Sequence, residues 1–423
     1  MTTKIYSVTA REILDSRGNP TVEATVILEN GYRGTSAVAA GASKGSHEAV
    51  ELRDGDKKRY MGSGVLKAVE NVNGPINKRI RGTDALNQQG IDTALIELDG
   101  TPNKSKLGAN SVLATSMAVA VAAAASQRQP LYRYLNSLFT SFHQTKLDRI
   151  PTPTFNMING GLHGAGNLNF QEFHIVPASN KPFHEGLEMG VSVYYSIKQI
   201  LQYRNAVHSV GDEGGFAPNL FTNMDALEVL MDAIRNTHYR FGVDIYLGLD
   251  LAATQFLGEN GYLIKDKPIA YKPAEFIDYL VEIHNKFHLL ILEDPLAEDD
   301  WDGWKKLTSR IGSDVLIVGD DLLATNPERL KKAIEMKACT AILAKPNQIG
   351  SLSEFMNVAA IAKTHDIKII TSHRSGETTD TFVADLAVAI QSEYVKFGAP
   401  VRGERVAKYN RLLAIETEMI AAK

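Results

Sequence analysis

The stretch "TAILAKPNQIGSL", residues 340–352, places Lys345 directly after the apolar run Ile342-Leu343-Ala344 and follows it with Pro346 and Asn347. A strand that merely turns at the surface needs only Gly, Asn or Asp there. One lysine at a strand end is a solvated charge. The position gains meaning only if other strand ends repeat it.

Eight short apolar runs, separated by helical patterns, fill the chain from about residue 150: 172–176 (EFHIV), 208–213 (HSVGDE), 244–250 (DIYLGLD), 289–294 (LLILED), 315–321 (VLIVGDD), 340–345 (TAILAK), 367–373 (IKIITSH) and 392–398 (SEYVKFG). Their ends carry Glu172, Glu213, Asp250, Glu293, Asp320, Lys345, His373 and Lys396. Strands alternating with helices imply an α/β barrel, whose parallel strands bring all carboxyl ends to one mouth. Eight such charges together imply a site, because they are too costly to gather without a metal or substrate.

Upstream, residues 4–38 alternate as strands, with Val22, Ala24, Val26 and Leu28 on one face and Asn30-Gly31 as a hairpin turn. Residues 46–138 have helical spacing. The expected architecture is therefore an N-terminal α+β cap, residues 1–140, on a barrel spanning residues 141–423, with "HQTKLDRIPTPTF" as the linker.

The 423 residues carry a formal net charge of −4 and 22% charged residues, which gives no global field for nucleic acid or an anionic membrane. The single cysteine, Cys339, rules out an intramolecular disulfide framework and reads as a buried thiol in a reducing compartment. The N-terminus shows no signal-peptide core, so the expected location is the cytoplasm. Val112 to Ala125 is apolar but short of the roughly 20 residues that span a bilayer, and reads as a closely packed helix.

Asp250, Glu293 and Asp320 are hard oxygen donors from three strands, suited to an open Mg²⁺ site. Lys345 and Lys396 face them; a lysine among other cations and partly desolvated is expected to have a lowered pKa and to serve as a base. Glu213, between glycines, is the opposing acid. Arg374 and Ser375 suit a phosphate. The loop "NGGLHGAGNLNFQEF" presents His163 ahead of Gln171 and Glu172, reads as a lid, and lacks the third glycine of a dinucleotide loop.

The motifs "AREILDSRGNPTVE", "NGPIN", "NKSKLGAN", "INGG", "GDEGG", "EDP", "GDDL", "NQIGSL", "SHRSGET" and "RVAKYN" resemble, in order and across nearly the whole chain, those of the enolase family. The resemblance implies Mg²⁺-dependent dehydration of 2-phospho-D-glycerate to phosphoenolpyruvate. It implies Asp250, Glu293 and Asp320 as ligands of a first Mg²⁺ and Ser43 at a second that arrives with substrate. Lys345 would take the C2 proton, and Glu213 would protonate the departing C3 hydroxyl with Glu172 assisting. Arg374 and Ser375 would hold the phosphate and Lys396 the carboxylate, with His163 and Gln171 closing over them. Glu172, Glu293, Asp320, Lys345 and His373 also line the implied substrate pocket. A homodimer or larger homo-oligomer is implied, with no nucleic acid or membrane partner.

Several positions depart from the family pattern. The cap loop reads Ala39-Ala40-Gly41-Ala42-Ser43-Lys44-Gly45 where Pro-Ser-Gly-Ala-Ser-Thr-Gly is usual. Gln255 and Thr379 each replace a Glu, and Gly164 replaces an Ala. A paralogue acting on a related phospho or phosphono acid, or a scaffold that keeps the fold without turnover, are the alternative readings.

Overall fold

The computed structural model describes residues 2–41, 45–164 and 166–422, with only the backbone of His163 included. The N-terminal sheet is antiparallel: β1 (Ile5–Leu14), β2 (Pro20–Leu28) and β3 (Arg33–Ala37). Val22, Ala24, Val26 and Leu28 are all buried, as their alternation requires. The β2–β3 turn uses Gly31 at φ 85°, in the left-handed region that glycine tolerates.

This sheet lies on the alanine-rich helix Ala109–Ser126. Contact is close enough that a Cβ at Gly34 would fall 2.2 Å from the Ala122 nitrogen. By length and composition the helix could cross a membrane, but 83% of it is buried, as befits a core helix. The expected run of helices from residue 46 begins later. Residues 46–59 contain no helix, and regular helices start at Leu66–Asn71.

The barrel strands are β4 (Thr152–Asn159), β5 (Glu172–Pro177), β6 (Ile245–Asp250), β9 (Leu289–Glu293), β10 (Leu316–Gly319), β11 (Ala341–Ala344), β12 (Lys368–Ser372) and β13 (Tyr394–Lys396). A two-stranded ribbon, β7 (Leu257–Gly258) with β8 (Gly261–Tyr262), interrupts the order. The barrel closes as β10-β11-β12-β13-β4-β5-β6-β9. Val176, Ile291, Val318, Ala341, Leu343 and Ile370 form a separate apolar cluster within the strands.

Two strand assignments change. "TPTFNMIN" is β4 rather than part of a linker; its Pro153 sits near the strand start, where a missing N–H is tolerated. Residues 208–213 form no strand; Val210 bridges Phe216, which in turn bridges Ile158 of β4. The glycines explain the loop: Gly214 adopts φ 89°, and a Cβ at Gly215 would lie 2.6 Å from Asn159 Oδ1 on β4. In addition, β5 pairs antiparallel with both β4 and β6, so the barrel is not uniformly parallel. Glu172 therefore reaches the mouth from the beginning of its strand.

Candidate active site

Strand register sets the carboxylates side by side. Glu172 pairs with Asp250, and Asp250 with Glu293, across adjacent strands. Asp320 follows β10, Lys345 follows β11, His373 follows β12, and Lys396 closes β13. Pro346 and Asn347 are explained as well: Lys345 is the N-cap of the short helix Pro346–Ile349, and the Asn347 side chain accepts from Arg374 Nη1 at 3.1 Å. Gln171, Glu172, Glu213, Asp250, Asp320, Lys345, His373, Arg374, Ser375 and Lys396 line one small polar cavity. A larger cavity of about 500 Å³ lies at the opposite end, beside the starts of β4, β10 and β13, and holds none of these groups.

The lysines sit among the carboxylates rather than across from them. Lys396 Nζ donates to Asp250 Oδ2 and Glu293 Oε1, each at 2.8 Å, and is 3.3 Å from Glu172 Oε1. Burial opposes its charge, yet Asp250, Glu172 and Glu293 outweigh burial and raise its pKa well above the usual lysine value. Glu293 is likewise raised well above the usual carboxylate value, first by burial and then by Asp250.

Lys345 Nζ lies 2.5 Å from Asp320 Oδ2. Here the expected lowering is corrected. Burial does favour the neutral amine, but the charge of Asp320 overrides it and the lysine pKa is raised. Asp320 is lowered correspondingly, Lys345 overcoming its burial.

Arg374 donates from Nη1 to Glu48 Oε2 at 2.8 Å and from Nη2 to Glu48 Oε1 at 3.2 Å. Glu48 comes from the N-terminal part and also accepts from Gly45 N at 3.0 Å. Nothing in the sequence reading singled it out. Glu213 sits on the loop before Gly214, where Asn156 Nδ2 donates to it at 3.2 Å and His373 Nε2 lies 3.3 Å away. Glu172 contacts His174 Nε2 at 2.7 Å. Gln171 Nε2 donates to Asp250 Oδ2 at 3.1 Å, and Gln171 Oε1 accepts from Gln255 Nε2 at 3.1 Å. Ser43 and Lys44 lie outside the described residues. For His163 the description stops at the backbone of the turn Gly161–His163.

Among the described residues, the trio of carboxylates that brings one oxygen each within 4.8 Å of the others is Asp294, Asp320 and Asp321, not Asp250, Glu293 and Asp320. Asp294 uses both oxygens to accept from the backbone N–H groups of Asp320 and Asp321, so it staples that turn. Asp321 is pushed up to about 7, by burial and then by Asp320. The buried, hard donors Asp250, Glu293 and Asp320 fit a divalent cation chemically, and their present counter-charges are two ammonium groups.

Fold and site together define a barrel enzyme whose mouth concentrates acids, lysines and one arginine around a small polar cavity. Residues 148–423 match the family model "Enolase, C-terminal TIM barrel domain", and residues 5–135 match "Enolase, N-terminal domain". The chain belongs to the enolase family. That family is of the lyase type, generally Mg²⁺-dependent, with small phosphate-bearing substrates.

Proposed function

We propose that this chain is a phosphopyruvate hydratase, dehydrating 2-phospho-D-glycerate reversibly to phosphoenolpyruvate in the cytoplasm as a homodimer or larger homo-oligomer. The observation carrying this reading is the convergence of Lys345, Glu213 and Arg374 on one cavity with Asp250 and Asp320. A base, an acid and an anion fork are the three groups that β-elimination from a phosphorylated hydroxy acid requires.

In this reading Lys345 takes the C2 proton once Asp320 is engaged elsewhere, since the charge of Asp320 is what raises its pKa against burial. Glu213 delivers a proton to the departing C3 hydroxyl, and Glu172 supports that transfer. Arg374 and Ser375 orient the phosphate, Lys396 the carboxylate, and His163 and Gln171 cover them. Asp250, Glu293 and Asp320 would hold Mg²⁺, with Ser43 at a second ion, and bound Mg²⁺ supplies concentrated positive charge for the carbanionic intermediate.

The test is phosphoenolpyruvate absorbance on adding 2-phosphoglycerate to chelator-treated protein with and without Mg²⁺. Turnover restored by Mg²⁺ supports the proposal, with Asp320→Asn needing far more metal. Metal-independent turnover, or none with Mg²⁺, defeats it. Gln255 bonded to Gln171 favours the paralogue as the second reading, and a panel of phospho and phosphono 2-substituted acids in an elimination assay separates the two.

A further inference from the structure

Arg405 takes no part in the chemistry above, yet it is fully buried against it. It enters from the first turn of the helix Gly403–Ala421. Its Nη1 donates to the Arg374 carbonyl and to His373 Nδ1, both at 2.7 Å. Its Nη2 donates to the Ser375 carbonyl at 2.6 Å and the Asp212 carbonyl at 3.2 Å. One guanidinium thus ties the segment after β12 to the loop that carries Glu213.

A guanidinium has donors only, so His373 Nδ1 must offer its lone pair. A neutral imidazole that accepts at Nδ1 carries its proton on Nε2. An imidazolium would set one N–H against another. His373 Nε2 lies 3.3 Å from Glu213 Oε2. The ring also packs on backbone, since a Cβ at Gly398 would meet His373 Cε1 at 3.1 Å. The charged groups around it are Glu213, Arg405, and Glu377 with its 2.7 Å partner Lys408.

We infer that Arg405 is a positioning residue that holds His373 as the neutral Nε2–H tautomer, so that the ring presents a donor, not an acceptor, beside Glu213. The direction of its pKa agrees: it is lowered, first by burial, with Arg405 adding to that and Glu213 opposing. The benefit to catalysis rests on Glu213 being the acid of the proposed reaction, where a fixed N–H would steady the carboxylate or the departing hydroxyl. The tautomer itself does not depend on that reading.

The test is two-bond ¹H–¹⁵N correlation on full-length protein labelled with ¹⁵N-histidine, the His373 signals being identified by their loss in His373→Gln. The expected spectrum shows a lone pair at Nδ1 and a proton at Nε2, unchanged from about pH 6 to about pH 8. A proton at Nδ1, or on both nitrogens, in the wild type overturns the inference. Arg405→Met should mix the tautomers and raise the titration midpoint by about one pH unit or more, while Arg405→Lys, still a donor, restores the single tautomer. An unchanged tautomer and midpoint in folded Arg405→Met would show that Arg405 only braces carbonyl groups. Should Arg405→Met fail to fold, the wild-type and Arg405→Lys spectra decide. Absent turnover with this tautomer intact would count against the proposed function alone.

Discussion

Glu48 clasps Arg374 through both carboxylate oxygens, at 2.8 and 3.2 Å, and both side chains are almost wholly buried. The arginine proposed to hold phosphate is thus already holding a carboxylate of matching fork geometry. Arg374 remains a cation at any working pH: burial opposes its charge, but Glu48 more than compensates and raises its pKa.

Glu48→Gln should therefore tighten inorganic phosphate binding severalfold, because the competing anion is gone. It should also lower stability by about 3 kcal/mol, the scale for breaking a buried ion pair. Calorimetric titration with phosphate and urea unfolding check both. Weaker phosphate binding would make Glu48 a support of Arg374 instead of a competitor.

Lys345→Ala should reduce solvent exchange of the C2 proton of 2-phosphoglycerate by about a hundredfold or more, the range for removing a general base. Glu213→Gln should retain exchange while losing dehydration, since hydroxyl protonation follows proton removal. Deuterium incorporation followed by NMR reads the two steps separately. Equal losses in both variants would refute the division of roles.

Gln255→Glu should turn over the Gln171 amide. Gln171 donates to Asp250 on one side and accepts from Gln255 on the other, so a carboxylate at 255 would face its oxygen. Asp250 would lose a donor and the site would gain a negative charge, so Mg²⁺ binding without substrate should tighten about threefold, under 1 kcal/mol. Isothermal titration with Mg²⁺ measures it, and weaker binding would contradict the arrangement.

Glu377→Gln should flatten the acid limb of stability. The buried Glu377 lies 2.7 Å from Lys408, and although burial favours its neutral form, Lys408 and Arg405 bring its pKa below the ordinary 4.5. A depressed folded value stabilises the protein above the unfolded pKa, and that contribution is lost as pH falls through the folded one. Urea midpoints from about pH 6 to about pH 3 should fall less steeply in the variant than in the wild type. Equal slopes would show that Glu377 does not titrate with folding.

The barrel and most of its mouth were legible because charge at the end of an apolar run is a local pattern. Thr152–Asn159 was not: Pro151 and Pro153 punctuate it as a linker, whereas the strand tolerates proline near its start. The segment 208–213 misled in the opposite way: Val210 ahead of an acidic end mimics a strand tip, whereas the backbone is a loop held by Gly214 and Gly215. The raised pKa of Lys345 was hidden for another reason, since sequence gives neighbours along the chain and not the 2.5 Å approach of Asp320. Glu48 and Arg405 act on residues 326 and 32 positions away, beyond any motif spacing.

Closure of the barrel between β13 and β4 bears on how the molecule is made. Thr154 Oγ1 bonds the Val395 carbonyl across 241 positions, and Lys396 is the next residue. A chain emerging from the ribosome holds Glu172, Asp250 and Glu293 long before it contains the ammonium that balances them. Until that lysine arrives, like charges oppose their assembly. The barrel thus completes late in synthesis, and a nascent chain stalled short of residue 396 would present an acidic, unsealed ring to chaperones and proteases rather than a smaller working enzyme.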